Sequence, residues 1–203
     1  MGKIISEDRV AVVYLKDPGE DSEALEGSPV GRLDKPVGGL MLLAKDPKKV
    51  SSLQESFHKI YLVVCAGKIE EQKGEMNDLL LHDRRKNKSF PVKSMRQGVR
   101  DARLVYEVLA YNEEKDLTLA AVRPITGRTH QIRVQFATRK HPLAGDGKYG
   151  SRIKCGISLF ASVLVYKDTG SGEEKVFFEE VPDQYPWDIF DENIRRSIRD
   201  LSL

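Results

Sequence analysis

The sequence predicts an α+β fold for a chain of 203 residues, in which strand-like and helix-like segments follow one another. Three observations support this prediction. Short runs rich in β-branched and aromatic residues recur along the chain. Other segments repeat apolar residues at helical spacing. The apolar content of 40% supports a packed core. We therefore expect a single compact domain over residues 1–203.

The first third of the chain is predicted to alternate strands with one loop and one helix. The predicted strands are DRVAVVYL (8–15), LMLLA (40–44) and IYLVVCAG (60–67). Acidic and turn-forming residues at 17–29 predict a loop between the first two strands. DPKKVSSLQESFHK (46–59) is predicted to be a helix, because Asp46 can cap it and Pro47 suits its first turn.

The rest of the chain continues this mixture. Residues 82–101 begin with the basic run HDRRKNKSF and are predicted to be loop-like. THQIRVQFATRK (129–140) is predicted to be a helix capped by Thr129, and WDIFDENIRRSIRDL (187–201) a terminal amphipathic helix. The predicted strands of this part are ARLVYEVLAYN (102–112), LTLAAVRP (117–124), SLFASVLVY (158–166) and EKVFFEEV (174–181).

Charge is distributed unevenly although the formal net charge is only +2. Residues 82–154 contain 17 Lys and Arg against 7 Asp and Glu, whereas residues 171–203 contain 4 against 9. A basic middle segment suits a polyanion such as RNA, because neutralised phosphates supply much of the affinity for nucleic acid. An ordinary solvated surface is the alternative interpretation of the same clustering.

Several classes of protein are disfavoured by what the sequence does not contain. There is no apolar run long enough for a membrane helix and no secretory leader pattern, so a cytoplasmic protein without membrane contact is expected. Cys65 and Cys155 form no CxxC pair and are interpreted as reduced structural thiols. The histidines follow no zinc-binding spacing, and neither a P-loop nor a dinucleotide fingerprint occurs. We expect no metal and no cofactor.

Two stretches carry candidate chemistry. GRLDKPVGGLMLLAK, from Gly31, places Asp34 before a turn and an apolar strand. In ITGRTHQIR, a predicted helix start lies close to Arg128, His130 and Arg133, and free backbone N–H groups there favour an anion. That anion is either a phosphate or a carboxylate such as Asp34, which an arginine would hold ionised as a nucleophile or base. An ordinary surface turn at Asp34 is the alternative.

The stretches GRLDKPVGGLMLLAK, KIYLVVCAG and ITGRTHQIRVQFATRKHPLAGDGKYG together resemble the RluA-type pseudouridine synthases in order and spacing. That resemblance implies a mixed, mostly antiparallel sheet flanked by helices and loops, with an active-site cleft across the sheet. It also implies an isomerase that converts uridine to pseudouridine in RNA.

The same resemblance implies a role for each matching residue. Asp34 matches the catalytic aspartate, Tyr61 the tyrosine that packs against the base and is implicated in proton removal, and Arg128 the basic residue that pairs with the aspartate. Arg32 matches the arginine that displaces the target nucleotide. Ile132 matches the apolar residue under the uracil ring. His130 and Arg133, in the same motif as Arg128, are expected to bind substrate.

The chain departs from the family pattern in two ways. Gly31 stands where the RluA type usually has His, and Val37-Gly38-Gly39 replaces the usual polar residue before the turn glycine. These differences weaken the assignment to a subfamily. The chain nevertheless keeps the aspartate, Asp34. The first motif also lies close to the first residue, so no separate N-terminal RNA-binding domain is expected. The run HDRRKNKSFPVK (82–93) is then a candidate RNA contact, with a solvated loop as the alternative.

The sequence therefore predicts a pseudouridine synthase acting on structured RNA, either rRNA or tRNA, as a monomer without an obligate protein partner. The alternative is a catalytically inactive RNA-binding protein on the same fold. An enzyme acting on free nucleosides is disfavoured by the basic middle segment.

Overall fold

The computed structural model describes residues 2–168 and 171–201. The strands are β1 Lys3–Glu7, β2 Ala11–Lys16, β3 Ser28–Pro29, β4 Gly38–Ala44, β5 His58–Ala66, β6 Lys73–Asp83, β7 Lys88–Val92, β8 Val99–Asn112, β9 Leu117–Pro124, β10 Leu159–Lys167 and β11 Glu174–Phe178. The α-helices are α1 Val50–Gln54, α2 Gln131–Thr138 and α3 Glu192–Arg196, and 3-10 turns cover Pro47–Lys49, Gly147–Tyr149 and Ser197–Asp200.

The chain forms two compact units, Met1–Tyr61 with Phe160–Val181 and Leu62–Leu159 with Pro182–Leu203. In the first unit, β2 pairs antiparallel with β1 and β4, β10 pairs parallel with β4, and β11 pairs antiparallel with β10. Aliphatic side chains of β2 and β4 form the core of this unit together with Leu53, Leu164 and Tyr166. The predicted strands at 8–15 and 40–44 are confirmed.

Gly39 explains the Gly-Gly pair that precedes the apolar run of β4. Its φ is +119°, and a Cβ at this position would lie 2.4 Å from the backbone nitrogen of Ala161 in β10. Any other residue would therefore push β10 away from β4. Gly38 and Gly39, two of the three residues at which the chain departs from the family pattern, thus lie in the pairing of β4 with β10.

In the second unit, β6, β8 and β9 form antiparallel pairs in the order β6-β8-β9, and β7 pairs antiparallel with β6. Helix α2 is anchored to the strands by Gln135, whose side-chain amide donates to the carbonyl of Met76 at 3.0 Å and to the carboxylate of Asp78 at 2.8 Å. The paired strands predicted at 102–112 and 117–124 are confirmed.

Several elements differ from the prediction. The helix expected over 46–59 is a 3-10 turn followed by the short α1, because the chain becomes strand β5 from His58 onward; its Asp46 cap is confirmed. The loop expected over 82–101 contains the end of β6, all of β7 and the start of β8. The helix expected to start after a Thr129 cap begins at Gln131, after His130 in a left-handed conformation (φ 56°).

The terminal helix expected over 187–201 is limited to α3 and the 3-10 turn that follows it. Asp191 caps α3 by accepting a hydrogen bond from the backbone N–H of Asn193. The strand pairs β1–β2, β2–β4, β3–β4, β10–β11, β6–β7, β6–β8 and β8–β9 are antiparallel, and the pair β4–β10 is parallel. No helix in these residues has the length and apolar character needed to cross a membrane.

Candidate active site

Asp34 lies in the segment that joins β3 to β4, and it is partly buried. Its backbone carbonyl accepts a hydrogen bond from the N–H of Val37 at 2.9 Å, which closes a turn over Lys35 and Pro36. The residue thus occupies the first position of a tight turn, where aspartate is common. The turn directs the chain from Asp34 into the buried strand β4.

Ser22 fixes the backbone immediately before Asp34. Its hydroxyl donates to the carbonyl of Leu33 at 2.8 Å and accepts from the N–H of the same residue at 3.2 Å. Ser22 is 3% exposed and Leu33 is also buried. Because one hydroxyl satisfies both backbone groups of Leu33 away from water, the peptide next to Asp34 has little freedom to rotate.

Lys16 fixes the backbone immediately after Asp34. The side chain is 1% exposed, and its ammonium group donates to the carbonyls of Lys35 at 3.1 Å, Val37 at 2.8 Å and Asp17 at 3.0 Å. Burial lowers the pKa of Lys16, while Glu20, Asp21, Asp34 and Asp17 oppose that shift by their negative charge. Three carbonyl acceptors therefore satisfy a cation that has lost its water.

Strand β5 brings Lys59 and Tyr61 to the same face, because residues two apart in a strand point the same way. The Lys59 ammonium group donates to the carbonyl of Gly31 at 3.2 Å. It lies 5.5 Å from the ring centroid of Tyr61 and 5.6 Å from that of Phe57, within cation–π range.

Electrostatics link both of these β5 residues to Asp34. Burial lowers the pKa of Lys59 to about 7; the negative charge of Asp34 opposes this shift, and the positive charge of Lys16 adds to it. Burial, and next the charge of Asp34, raise the pKa of Tyr61 well above its usual range. Tyr61 is therefore a neutral phenol at physiological pH, able to donate or accept one hydrogen bond.

The ring of Phe57 accounts for Gly31, which replaces the histidine usual in RluA-type enzymes. A Cβ at position 31 would lie 2.6 Å from Cε1 of Phe57, closer than two carbon atoms can approach. Phe57 in turn packs against the core of the first unit. The glycine is thus the residue that leaves space for this ring, and Asp34 keeps its place three residues later.

Arg32 lies on the surface of the first unit. Its guanidinium forms an ion pair with Glu23, and the two side chains are 63% and 66% exposed. An exposed pair of this kind contributes little to stability, so Arg32 can leave Glu23 at small cost when another anion approaches. Such a position is compatible with the predicted contact to nucleic acid, which stays a prediction.

The other predicted site residues belong to the second unit. Arg128 donates from Nε to the carbonyl of Asp101 at 2.8 Å, and its terminal nitrogen lies 3.6 Å from the carboxylate of Asp101. Its backbone N–H donates to the side-chain carbonyl of Gln131 at 3.0 Å, which fixes the turn before α2. The predicted pairing of Arg128 with Asp34 stays a prediction.

His130 and Ile132 lie on either side of the first residue of α2. His130 is 7% exposed, its Nδ1 is 3.0 Å from the hydroxyl of Tyr149, and its ring meets those of His82 and Tyr149 edge to face. Ile132 is 6% exposed. The contacts of His130 position its ring within the second unit; the substrate-binding roles of both residues stay predictions.

Arg133 has a structural partner that the sequence did not suggest. Its Nε and one terminal nitrogen donate to the two carboxylate oxygens of Asp146 at 2.7 and 2.9 Å. The two side chains are 3% and 0% exposed. Charge-assisted hydrogen bonds of this bidentate kind are shorter and stronger than those between neutral groups. Among the described residues, no group of three or more His, Cys, Asp and Glu could hold a metal ion.

Comparison with known proteins identifies the family. Residues 6–138 match the model of a family described as RNA pseudouridylate synthase. The chain belongs to the RNA pseudouridylate synthase family. The match contains the segment of Asp34, the strand of Tyr61 and the motif of Arg128, so the predicted resemblance to RluA-type enzymes is confirmed at the level of the family.

Individual relatives of this RNA pseudouridylate synthase family member agree. The chain is 33% identical over 130 residues to a dual-specificity RNA pseudouridine synthase RluA of Vibrio parahaemolyticus, covering 60% of this chain and 51% of that protein. It is 36% identical over 126 residues to an uncharacterized RNA pseudouridine synthase of Aquifex aeolicus, covering 60% and 39%. The chain thus spans about half or less of the length of these relatives.

A solved structure supports the fold. Human RNA pseudouridylate synthase domain containing 1 matches with a TM-score of 0.77 at 19% sequence identity, over 99% of this chain and 96% of that one. The α+β fold class with a mixed, mostly antiparallel sheet is therefore confirmed. Sequence reasoning did not assign roles to Lys16, Ser22 or Lys59; only Lys59 carried a signal, since it opens the KIY motif.

Proposed function

We propose that this chain is an RNA pseudouridine synthase that isomerises uridine to pseudouridine in structured ribosomal or transfer RNA, with Asp34 as the nucleophile. In this reaction the N1–C1′ bond breaks and a C5–C1′ bond forms. The proton on C5 is released and N1 gains one, so the reaction is an isomerisation that requires neither an oxidant nor a nucleotide cofactor. We propose that the enzyme acts in the cytoplasm as a monomer.

The observation that carries this proposal is the fixed segment around Asp34. A nucleophile gains most when its geometry is set before substrate binds. Three buried side chains bind the backbone of this segment. Lys59 donates to the carbonyl of Gly31, and Ser22 bonds to both backbone groups of Leu33. Lys16 donates to the carbonyls of Lys35 and Val37. An aspartate held at a tight turn by buried partners on both sides suits attack on a bound nucleotide.

The residues around Asp34 suit the later steps of the reaction. A detached base has to stay in place while it turns, which calls for a flat apolar surface, and the buried ring of Tyr61 offers one. The neutral hydroxyl of Tyr61 can take part in the transfer of the C5 proton, which passes on to Asp34 or to water. In this proposal Arg128 pairs with Asp34, Ile132 lies under the uracil ring, and Arg32, His130 and Arg133 contribute to substrate binding.

The function is tested by release of tritium from RNA labelled at C5 of uridine. We expect the purified protein to release tritium from total rRNA or tRNA made in cells that lack this gene, because the C5 proton leaves when the new bond forms. Mapping of pseudouridine in the treated RNA identifies the modified positions. Binding of these RNAs without any tritium release would instead support a catalytically inactive RNA-binding protein.

We propose that the hairpin of β6 and β7 contacts the phosphate backbone of that RNA. Arg84, Arg85 and Lys86 at its tip are exposed. Asp83 is turned toward the tip, where its carboxylate accepts from the backbone N–H groups of Arg85 at 2.9 Å and Lys86 at 3.1 Å. The tip thus has a fixed backbone with projecting cations, an arrangement that suits contacts to a polyanion.

Replacing two of these cations is expected to weaken RNA binding and its salt dependence. Each phosphate contact adds roughly 0.7 to 0.9 to the slope of log affinity against log salt, so Arg84→Gln with Arg85→Gln should reduce the slope by about 1 to 2. Titrations of labelled RNA at four salt concentrations measure it. The matched control replaces Lys48 and Lys49, two exposed lysines of the first unit, by Gln. Equal slopes for both double variants would contradict this assignment.

A further inference from the structure

Two buried lysines contact the backbone on opposite sides of Asp34. Lys59 donates to the carbonyl of Gly31, three residues before Asp34, and Lys16 donates to the carbonyls of Lys35 and Val37, one and three residues after it. Their side chains come from different strands, β5 and β2. Two strands therefore hold one short segment of backbone, and Asp34 lies at the centre of that segment.

Both lysines also interact with the charge of Asp34. The negative charge of Asp34 raises the pKa of each ammonium group, against the lowering by burial. The charged groups that act on Lys59 are Asp34 and Lys16, and those that act on Lys16 are Glu20, Asp21, Asp34 and Asp17. Of these carboxylates, Asp34 is the one whose charge raises the pKa of both lysines.

Burial of two cations is unfavourable for folding, so their presence points to a role other than stability. Removing an ammonium group from water costs several kcal/mol in practice, and an apolar side chain of similar length often serves the fold as well or better. Lys16 is 1% and Lys59 is 7% exposed. Methionine would fill either site without that penalty, and would give up the hydrogen bonds to the backbone carbonyls of the Asp34 segment and of Asp17.

We propose that Lys16 and Lys59 are positioning residues for Asp34. Lys59 holds the backbone before the carboxylate and Lys16 the backbone after it, and the charge of Lys16, with that of Lys59 in its protonated form, attracts the carboxylate toward the orientation required for attack on the nucleotide. The inference rests on the proposed function, since it names the residues that prepare its nucleophile. Neither lysine needs to touch the RNA.

Kinetics of three single variants test this proposal. Lys16→Met and Lys59→Met should each lower kcat for tritium release by about 10- to 100-fold, the loss expected when a reacting group moves by about 1 Å. The Kd for RNA should stay within twofold. Lys48→Met, at an exposed position in the same unit, is the control and should keep wild-type kcat. Wild-type kcat in both buried-lysine variants would overturn the proposal, as would a loss confined to RNA binding.

Thermal unfolding distinguishes positioning from a purely structural role. A lysine with a lowered pKa binds its proton less tightly in the folded than in the unfolded protein, so at pH 6 the folded state carries a buried charge that disfavours it. Lys59→Met should therefore unfold at the same or a higher temperature than wild type at pH 6 while losing activity. A lower activity that is matched by a lower unfolding temperature would overturn the positioning role of Lys59.

A titration of the lysines tests the electrostatic part without any activity measurement. In protein labelled with ¹³C at lysine Cε, one resonance should titrate near pH 7, and Lys59→Arg should remove it. Asp34→Asn should lower the pKa of that lysine, because the charge that raises it is gone, whereas Glu55→Gln, an exposed carboxylate of the same unit, should leave it unchanged. An unchanged pKa in Asp34→Asn would overturn the proposal.

The experiments separate the two levels of inference. If wild-type protein releases no tritium but Asp34→Asn shifts the lysine titration, the proposed function fails and the electrostatic coupling of Lys59 with Asp34 stands. If wild type is active and neither lysine variant loses kcat, the proposed function stands and the positioning role fails.

Discussion

Asp34→Asn is expected to abolish pseudouridine formation while leaving the fold and RNA binding intact. The amide has the shape of the carboxylate but no charge and little nucleophilic strength, so turnover should fall by about 10⁴- to 10⁶-fold, as it does when other enzymes lose their nucleophile. The turn itself depends on the backbone carbonyl of residue 34, which the substitution keeps. Tritium release from C5-labelled RNA measures turnover, and circular dichroism measures unfolding.

The control for this variant is Asp46→Asn. Asp46 is exposed and caps the 3-10 turn before α1, a position where asparagine serves equally well. It should release tritium at the wild-type rate. Wild-type release by Asp34→Asn would remove Asp34 from the mechanism, and with it the role of the buried lysines that surround its segment.

Much of the fold could be predicted because its strands are apolar enough to be recognised locally. β9 begins and ends at the predicted residues, Leu117 and Pro124, and β10 differs from its prediction by one residue at each end. The hairpin of β6 and β7 was missed because cations at its tip hide the strand pattern on either side. Its turn is set by Asp83, whose side chain bonds to the backbone two and three residues later.

The candidate site could be predicted only where a motif carries it. Asp34, Tyr61 and Arg128 are predicted from motifs that resemble a family, but the contacts of Lys16 and Ser22 with the Asp34 segment join residues 11 to 21 positions apart along the chain. Lys16 ends a strand and Ser22 sits in an acidic loop, positions where exposed polar residues are ordinary. The local sequence pattern around Lys16 does not distinguish a buried lysine with three carbonyl partners from a lysine exposed to solvent.

Arg133 shows how a motif can combine proposed catalytic residues with a structural one. The sequence placed it beside Arg128 and His130 at a helix start, as part of an anion site. The structure places its guanidinium on Asp146, and over the ring of Tyr149 at 5.3 Å. The sequence of a helix does not show which distant residue of the chain will contact it. The sequence therefore could not distinguish a protein carboxylate from a substrate phosphate as the partner of Arg133.

Asp146→Ala is expected to destabilise the protein by about 3 to 5 kcal/mol, the largest stability effect we predict. The substitution leaves the guanidinium of Arg133 buried without its carboxylate, and an uncompensated buried charge is far more costly than the net worth of the pair. The exposures of 0% for Asp146 and 3% for Arg133 place this pair in that class. Urea unfolding monitored by circular dichroism measures the free energy of unfolding at pH 7.

Two further variants separate pairing from other roles of Asp146. Glu192→Ala breaks the exposed ion pair with Arg196 in α3 and should change stability by less than about 1 kcal/mol. Replacing both buried partners, Arg133→Met with Asp146→Leu, should recover most of the stability lost in Asp146→Ala, because neither member of this pair is then left buried as an unpaired charge. A double variant as unstable as the single one would contradict the pairing as the cause. If the double variant folds and still binds RNA with wild-type affinity, Arg133 acts through the fold rather than on the substrate.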